Sequence, residues 1–437
     1  MVLHYTPKKV QKSPHFLTAQ ITDLDYQGLG VAKIGGKTWF IENALPQEIV
    51  QFRVLEEKRQ YGRGVVQHIL QGHAKRQEPK CAYYAQCGGC QSQHIPIDMQ
   101  RTAKQQALWY RLRKLQDDII LAPMITGEQW AYRRRVRLAM RFDEARKILV
   151  IGFRQKHSQQ IVPIRHCDVL VPALNKILPK LTALFSQWSQ PRQLGHLELV
   201  AVDNGVTLLV RHIEKIAEKD RDLLLNFAKS EHINLFVQEK ENVQCWQGAE
   251  PFYYIATQKL TFDMGDFIQV NAELNHAMIQ TALAWLELTP QDHVLDLFCG
   301  IGNFTLPLSL QVKSAVGVEG VAEMVEKARQ NAQRNRCDNV EFYQADLAKS
   351  FADQAWVDKP FNKILLDPPR AGADFALNAL SDLSAEKIVY VSCNPATLVR
   401  DAEILQQLGY DPRKVAMIDM FPNTGHLESI TLFEKRN

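Results

Sequence analysis

Two short runs near the carboxyl end of the chain combine residue types that do chemistry: Leu365-Leu366-Asp367-Pro368-Pro369-Arg370 and Val391-Ser392-Cys393-Asn394-Pro395. Each ends an apolar stretch of strand length, which puts its polar residues at a strand's carboxyl end, where open α/β sheets hold ligands. Asp-Pro-Pro alone points to methyl transfer onto an amino group, but the aromatic that such sites carry after the prolines is Arg370 here. Cys393 changes the chemistry. C5 of a uracil ring is not nucleophilic until a group adds to C6, and a thiolate is the side chain best suited to that reversible addition. A lone cysteine at a strand end is more often packing; beside a cofactor fold and Pro395, the nucleophile is the better reading.

The cofactor fold is read from Asp296-Leu297-Phe298-Cys299-Gly300-Ile301-Gly302-Asn303, which follows an apolar strand and opens a helix. Its glycines let backbone pass close beneath a ligand at a helix N-terminus. A second strand ends in Glu319, a carboxylate placed for both hydroxyls of a ribose, and a third leads to Asp346, an acceptor for an adenine amino group. The third glycine of the nicotinamide fingerprint is missing, so a single nucleoside such as S-adenosylmethionine fits better than a dinucleotide.

Cys81, Cys87 and Cys90 form a second constellation, with five and then two residues between them and Gly88-Gly89 allowing a tight wrap. Three thiols so close call for a metal, and both zinc and a cubane iron–sulfur cluster want a fourth ligand. His94 and the distant Cys167 are the candidates, and spacing alone leaves zinc and iron–sulfur open. The loop of radical enzymes, with three and two intervening residues, is a different pattern. Cys245, Cys299 and Cys337 have no evident partner and read as packing.

The elements that must hold these residues follow from length and pattern. At roughly 150 residues per domain, 437 residues imply about three domains. Composition is that of ordinary globular chains, with 46% hydrophobic and 23% charged residues, which excludes collagen, coiled coil and bulk disorder. The first residues lack the apolar core of a signal peptide and no apolar run reaches the roughly 18 residues of a membrane span, so a cytoplasmic protein with reduced cysteines is expected. Residues 1–170 hold 27 Lys and Arg against 14 Asp and Glu, and 171–437 hold 25 against 34. A front of +13 and a back of −9 suggest that the front meets a polyanion. Tyr132-Arg133-Arg134-Arg135-Val136-Arg137, cations beside an aromatic, would suit nucleic acid.

Short β-rich runs from Phe16 to Ile69 read as a small antiparallel barrel of the oligonucleotide-binding kind. Ile97 to Lys114 has helical spacing, and 130–262 mixes short strands with helices near 172–188 and 214–230. From about 270 helix and strand alternate, with strands at 293–297, 314–318, 340–343, 362–366 and 387–391 and helices including 374–382 and 396–407. That is the pattern of a mostly parallel, doubly wound, Rossmann-like sheet. The expected domains are a barrel over 1–73, a central α+β domain with the cysteine cluster over 74–262, and a methyltransferase domain over 263–437, with part of 93–125 packing on the last.

Taken together, the Asp367-Pro-Pro-Arg370-Ala-Gly372 run, Ser392-Cys393-Asn394-Pro395 and Gly425-His426-Leu427-Glu428-Ser429 resemble the RNA (uracil-5)-methyltransferase family. The family usually has Asp-Pro-Ala-Arg where this chain has Asp-Pro-Pro-Arg. The resemblance implies that Cys393 attacks C6, that the C5 carbanion takes the methyl group and that Glu428 is the base that removes the C5 proton. It also implies that Gln269, Phe298, Asn303, Glu319, Asp346 and Asp367 bind the cofactor or hold the site, and that Phe267 stacks on a flipped base. Cys-Gly-Gly-Cys-Gln-Ser-Gln-His resembles the branch with a four-iron four-sulfur (4Fe-4S) cluster, which makes Cys81, Cys87, Cys90 and Cys167 its ligands. That branch begins with a TRAM barrel. Barrel and cluster together imply 23S ribosomal RNA or its precursor as substrate, with transfer RNA the alternative, and no membrane or obligate protein partner. A non-catalytic RNA-binding iron–sulfur protein is the competing class, but a binder needs neither Cys393 nor Glu428.

Overall fold

The computed structural model describes residues 15–349, 354–380 and 385–436. Residues 1–14 of the expected barrel domain and 381–382 of the expected helix over 374–382 lie outside the described residues. Phe16–Gln20 (β1), Asp23–Leu24 (β2), Gly30–Ile34 (β3), Lys37–Glu42 (β4), Ile49–Glu57 (β5) and Tyr61–Gln71 (β6) form one sheet in the order β1-β5-β6-β4-β3-β2. Only two residues separate its edge strands β1 and β2, so the sheet curls into a barrel around Ile21, Trp39, Ile41, Val50 and Phe52. Glycines permit the curl: a Cβ on Gly62 would lie 2.4 Å from the Trp39 ring, and one on Gly64 2.2 Å from the Phe52 ring. The barrel departs from the all-antiparallel expectation at one place, since β4 and β6 are parallel. The connection after β4 carries β5 across to β1 instead of turning it back, and β6 fills the gap.

The middle of the chain forms a seven-stranded sheet from Arg135–Asp143 (β8), Ile148–Arg154 (β9), Ile161–Pro163 (β10), Leu194–Val202 (β11), Gly205–His212 (β12), Asn234–Glu239 (β13) and Asn242–Gln247 (β14). Its order is β10-β9-β8-β11-β12-β13-β14. Between β10 and β14 lie the helices Pro172–Phe185 (α2) and Glu218–Glu231 (α3). In α2, Leu174, Ile177, Leu178 and Leu181 recur at helical spacing and pack with Leu197, Leu199, Leu208 and Val210 of the sheet. On the opposite face Val200 and Leu209 join the core of the carboxyl-terminal domain.

That domain is built on eight strands in the order β19-β18-β17-β20-β21-β23-β22-β7. They are His293–Leu297 (β17), Ser314–Glu319 (β18), Val340–Gln344 (β19), Lys363–Leu366 (β20), Lys387–Ser392 (β21), Tyr410–Ile418 (β22), Glu428–Lys435 (β23) and, from much earlier in the chain, Ile120–Leu121 (β7). Alternate strand residues feed two cores: Val294, Leu365 and Val389 face one side, Leu295, Ile364 and Ile388 the other. The first side is covered by a hairpin of Phe252–Ile255 (β15) and Gln258–Thr261 (β16), by Ala272–Leu286 (α4), by Thr305–Ser309 (α5) and by Ala322–Arg334 (α6). The second is covered by Ile97–Arg113 (α1), Asp374–Ala379 (α7) and Pro395–Gln407 (α8). Strict alternation stops at α8, after which β22 and β23 run antiparallel. Among the described residues no helix is long and apolar enough to cross a membrane.

Candidate active site

Strand order aligns the site residues along one edge of the eight-stranded sheet. The strands β19, β18, β17, β20 and β21 are parallel, and their carboxyl ends lead to Asp346, Glu319, Phe298, Asp367 and Cys393 in that spatial order. The next strand, β23, is antiparallel and therefore presents its amino end, Glu428, at the same edge. Ser392, the last residue of β21, pairs with Ser429, which brings Cys393, just past that strand's end, beside Glu428 at the start of β23, close enough for the carboxylate to act on the thiol. The order reverses between β17 and β20, the switch point at which open sheets bind ligands.

On the β17–β19 side the backbone makes a shelf. Phe298 has φ 65° and Gly300 and Gly302 have φ 56° and 94°, so three left-handed residues turn the chain sharply after the strand. Glu319 is locked by donors: Gly300 N at 3.2 Å on one oxygen, Gly320 N at 2.7 Å and Val321 N at 3.1 Å on the other. Asn303 exchanges two 3.0 Å amide hydrogen bonds with Asn275 and accepts another from Tyr253 Oη at 3.0 Å. Asp346 sits at the exposed margin, accepting from Ala348 N and paired with Lys349 at 3.0 Å. Gln269 is buried, its carbonyl accepting from Arg134 Nε at 2.9 Å.

Sequence patterns did not single out Asp296, Tyr253 or Asn275 for this site. Asp296 is fully buried, accepts from Thr305 Oγ1 at 2.6 Å and leaves Oδ1 without a partner. Burial, then the Asp367 and Glu319 carboxylates, push it up to about 8. Asp367 and Glu319 thus lie near Asp296 at the carboxyl ends of β17, β18 and β20, an acidic edge that suits a ligand carrying a sulfonium and an ammonium group. Asn275 was legible as a polar residue on the apolar stripe of α4 beside Leu274 and Met278.

On the other side of the switch point, Asn394 joins the two chemical motifs. It caps α8 by accepting from Ala396 N at 3.1 Å and donates to the Arg370 carbonyl at 3.1 Å. Desolvation pushes Asp367 up to about 7. Burial, and then Asp367, raise Glu428 to about 8 against the pull of Arg370 and Lys104. Burial, Glu428 and Asp367 raise Cys393 to about 11, again opposed by Arg370. Glu428 thus makes the Cys393 thiol harder to ionise, while Arg370 favours the charged form of both. Arg370 also lies 3.2 Å from His426 Nδ1, and Phe267 stands 67% exposed beside them, lining the same cavity as Arg370 and His426.

The loop between β22 and β23 brings Glu428 to its post. Asn423 (φ 65°) is fully buried; its carbonyl accepts from Gln91 N and Ser92 N, and its side chain from Gln129 at 2.8 Å. Asp419 below it holds Lys104 and Arg101 of α1 at 2.9 Å each. Lys104 lies on the buried stripe Gln100, Lys104, Leu108, Leu112, a spacing that marks it as an internal cation.

The arginine tract differs from its expected role. Arg134 is buried and stacks 4.5 Å from the Tyr253 ring, Arg135 pairs with Glu198 and caps the carbonyls of Met264 and Asp266, and Tyr132 donates to the Pro422 carbonyl. These contacts put the residues just before and at the start of β8 in the domain junction, while alternation along β8 leaves Arg137 exposed. They tie the 264–270 segment to β8 and are not free to hold phosphates.

Cys81, Cys87, Cys90 and Cys167 line a single cavity of about 480 Å³, which also reaches Phe267, Arg370 and His426. Burial raises all four thiols, Cys90 to about 11 and Cys167 to about 12, and for Cys81, Cys90 and Cys167 the neighbouring thiols add to it. Among the described residues no three His, Cys, Asp or Glu side chains are gathered tightly enough to hold one metal ion. His94 lines a different cavity, bonded through Nδ1 to Tyr84 Oη at 2.8 Å.

The family described as tRNA (Uracil-5-)-methyltransferase matches residues 99–436, and the TRAM domain matches 16–66. The 23S rRNA (uracil(1939)-C(5))-methyltransferase RlmD of Histophilus somni (strain 129Pt) is 64% identical over 437 residues, covering 100% of both chains. The enzyme of the same name from Vibrio parahaemolyticus is 44% identical and covers 98% of each. Among solved structures, the Pyrococcus abyssi tRNA (uracil-54, C5)-methyltransferase in complex with S-adenosyl-L-homocysteine superposes with a TM-score of 0.73 at 21% identity. It covers 95% of this chain and 100% of its own, a likeness of fold.

Proposed function

The chain belongs to the tRNA (uracil-5-)-methyltransferase family, and on that footing we propose that it methylates C5 of a uracil in 23S ribosomal RNA. Phe298, Asn303, Glu319 and Asp346, with Gln269 and Asp367, would hold S-adenosylmethionine, which would supply an electrophilic methyl group when bound. Cys393, once deprotonated, adds to C6 and makes C5 a carbanion, which takes the methyl group. Glu428 then removes the C5 proton, the C5–C6 double bond reforms and the sulfur leaves. The target base must leave its stack to meet both groups, and the exposed Phe267 ring offers it a new one. The observation that carries the reading is the strand register that sets Cys393 against Glu428 beside the shelf.

Substrate choice is supported by the full-length relatives named for 23S rRNA and by the barrel, which matches a TRAM domain. A 4Fe-4S cluster held by Cys81, Cys87, Cys90 and Cys167 is supported by four thiols lining one cavity. A cubane spreads its thiolates over the corners of a cluster, so it suits cysteines that do not close on one ion. It would tie the 81–90 loop to Cys167 and order the RNA-facing surface, with no step of methyl transfer passing through it. Reduced thiols and this substrate belong to the cytoplasm.

The test is incubation of the anaerobically purified protein with labelled S-adenosylmethionine and 5-fluorouracil-substituted RNA. Fluorine at C5 cannot leave as a proton, so the adduct should persist on a denaturing gel in the wild type and vanish in Cys393→Ala. A labelled adduct with transfer RNA but none with 23S RNA would overturn the substrate; none with either would overturn the reaction.

A further inference from the structure

We propose that the open half of the seven-stranded sheet is a second RNA-contact surface, along which the strand flanking the target base runs with its phosphates on Arg137, Arg141, Arg154 and Arg211. The proposal rests on the RNA substrate argued above and extends it to a surface away from the barrel and the reaction centre.

Pairing places these cations on one face. His196 lies opposite Ala139, which lies opposite Gly152, and Arg141 and Arg137 stand two residues to either side of Ala139 along β8. The floor between them is small: Ala139, Gly152 and Gly195, with the Arg211 stem 3.4 Å from where a Cβ on Gly195 would sit. A groove of about 590 Å³ follows this floor. All four arginines are exposed, and among the described residues none pairs with a carboxylate; Arg137 meets His196 and Arg154 meets Gln159. Glu198 stands opposite Arg137 on this face but is held by Arg135 at 2.9 Å, with His196 Nε2 at 3.5 Å; elsewhere in the domain Arg192 finds Glu144. Unpaired like charges gathered over a shallow floor repel one another unless a polyanion lies across them.

Continuity with the site gives the surface its direction. Phe153 lines this groove, the cysteine cavity that reaches Phe267 and Arg370, and the 980 Å³ cleft between barrel and middle domain that ends at His426. Arg137 is shared with the cysteine cavity and Arg154 with the cleft. A strand leaving the target base therefore has a basic path outward, past Phe153 and along the groove to Arg141, with the Arg211 stem beside Gly195 at its floor. Released counterions would then make binding salt-dependent through this face.

The test uses the full-length protein carrying Arg141→Ala and Arg211→Ala, positions remote from the reaction centre. Affinity is measured by fluorescence anisotropy across a potassium chloride series, once with a short RNA hairpin holding the target uracil and once with the same hairpin in long flanks. On the long RNA the slope of log K against log salt should fall by about 1.4 to 1.8, two phosphate contacts, and lysines at both positions should restore it. On the hairpin the slope and the rate of methyl transfer should match the wild type. An unchanged slope and affinity on the long RNA would overturn the proposal and leave the face to an acidic protein. Should the double variant melt below the wild type, Arg141→Gln alone reads the same slope at about half the change. The binding readout needs no turnover, so failure to methylate 23S RNA would count against the substrate reading separately.

Discussion

Gln100 and Asn423 hold each other at both ends: Gln100 Oε1 accepts from Asn423 N at 3.0 Å, and Gln100 Nε2 lies 3.3 Å from Asn423 Oδ1. The same Gln100 amide donates to the carbonyls of Ser92 and Ile95, so one buried side chain ties α1, the segment after the cysteine loop and the approach to Glu428. Gln100→Leu should leave several buried acceptors and a donor unmet. A loss of about 1–3 kcal/mol in stability is expected, with turnover falling at least tenfold while S-adenosylmethionine binding holds. Thermal melting and steady-state rates check both.

Glu428→Gln should separate the two halves of the reaction. Cys393 can still add and the methyl group can still transfer, but the C5 proton has no acceptor. Turnover should fall by about 10³-fold or more, and covalent protein–RNA adduct should accumulate on ordinary, unfluorinated RNA. Absence of that adduct on a denaturing gel would remove Glu428 from the second step.

Stability should fall as pH rises. Asp296, Asp367 and Glu428 are held at about 8, 7 and 8, above the range of about 4 that carboxyls have in an unfolded chain. The folded state therefore binds more protons than the unfolded one between about pH 4 and 8, and this contribution is lost as pH climbs through the folded values. Melting temperature should drop by a few degrees from pH 5 to 9, and Asp296→Asn should flatten the drop. Activity should move the opposite way, since Glu428 must be unprotonated to act as a base.

Arg134→Ala separates the junction role of the tract from RNA binding. Removing the guanidinium takes away the stack on Tyr253 and the donor to Gln269. KM for S-adenosylmethionine should rise about tenfold or more, with RNA affinity and its salt slope unchanged. A fall in the salt slope would return this arginine to the RNA surface.

Cys90→Ser should lower bound iron in the anaerobically purified protein. Methyl transfer to RNA should weaken while S-adenosylmethionine still binds, because the shelf lies across the sheet edge from the cysteine cavity. Full iron content in the variant would exclude Cys90 as a ligand.

The parallel half of the catalytic sheet was legible because its strands are continuous apolar runs ending in turn residues. Glu319, Asp367 and Cys393 were singled out by their position after such runs, and Phe298 by the family resemblance. What pattern could not supply was order across the sheet. The antiparallel strands β22 and β23 escaped notice, β22 because Pro412 sits at its bulge, β23 because its first residue was read only as part of a motif. Arg134 and Arg135 misled for a related reason: adjacent arginines look alike in sequence, but the approach to β8 buries Arg134 against Tyr253 and the first residue of β8, Arg135, is tied to Glu198. Asn423, whose partners lie about 300 residues away, carries no local signal.

The position of β23 between β21 and β22 also governs when the enzyme becomes competent. A chain still being synthesised can complete the barrel, the middle domain and the cofactor shelf while residue 428 is not yet made. Its sheet then has a gap one strand wide where the base belongs, and β22 has no partner linking it to β21. On the proposed reading, Cys393 and the shelf would exist without Glu428, the group assigned to the C5 proton. Only the emergence of 428–435 closes the gap, so folding of the last strand and acquisition of turnover are one event.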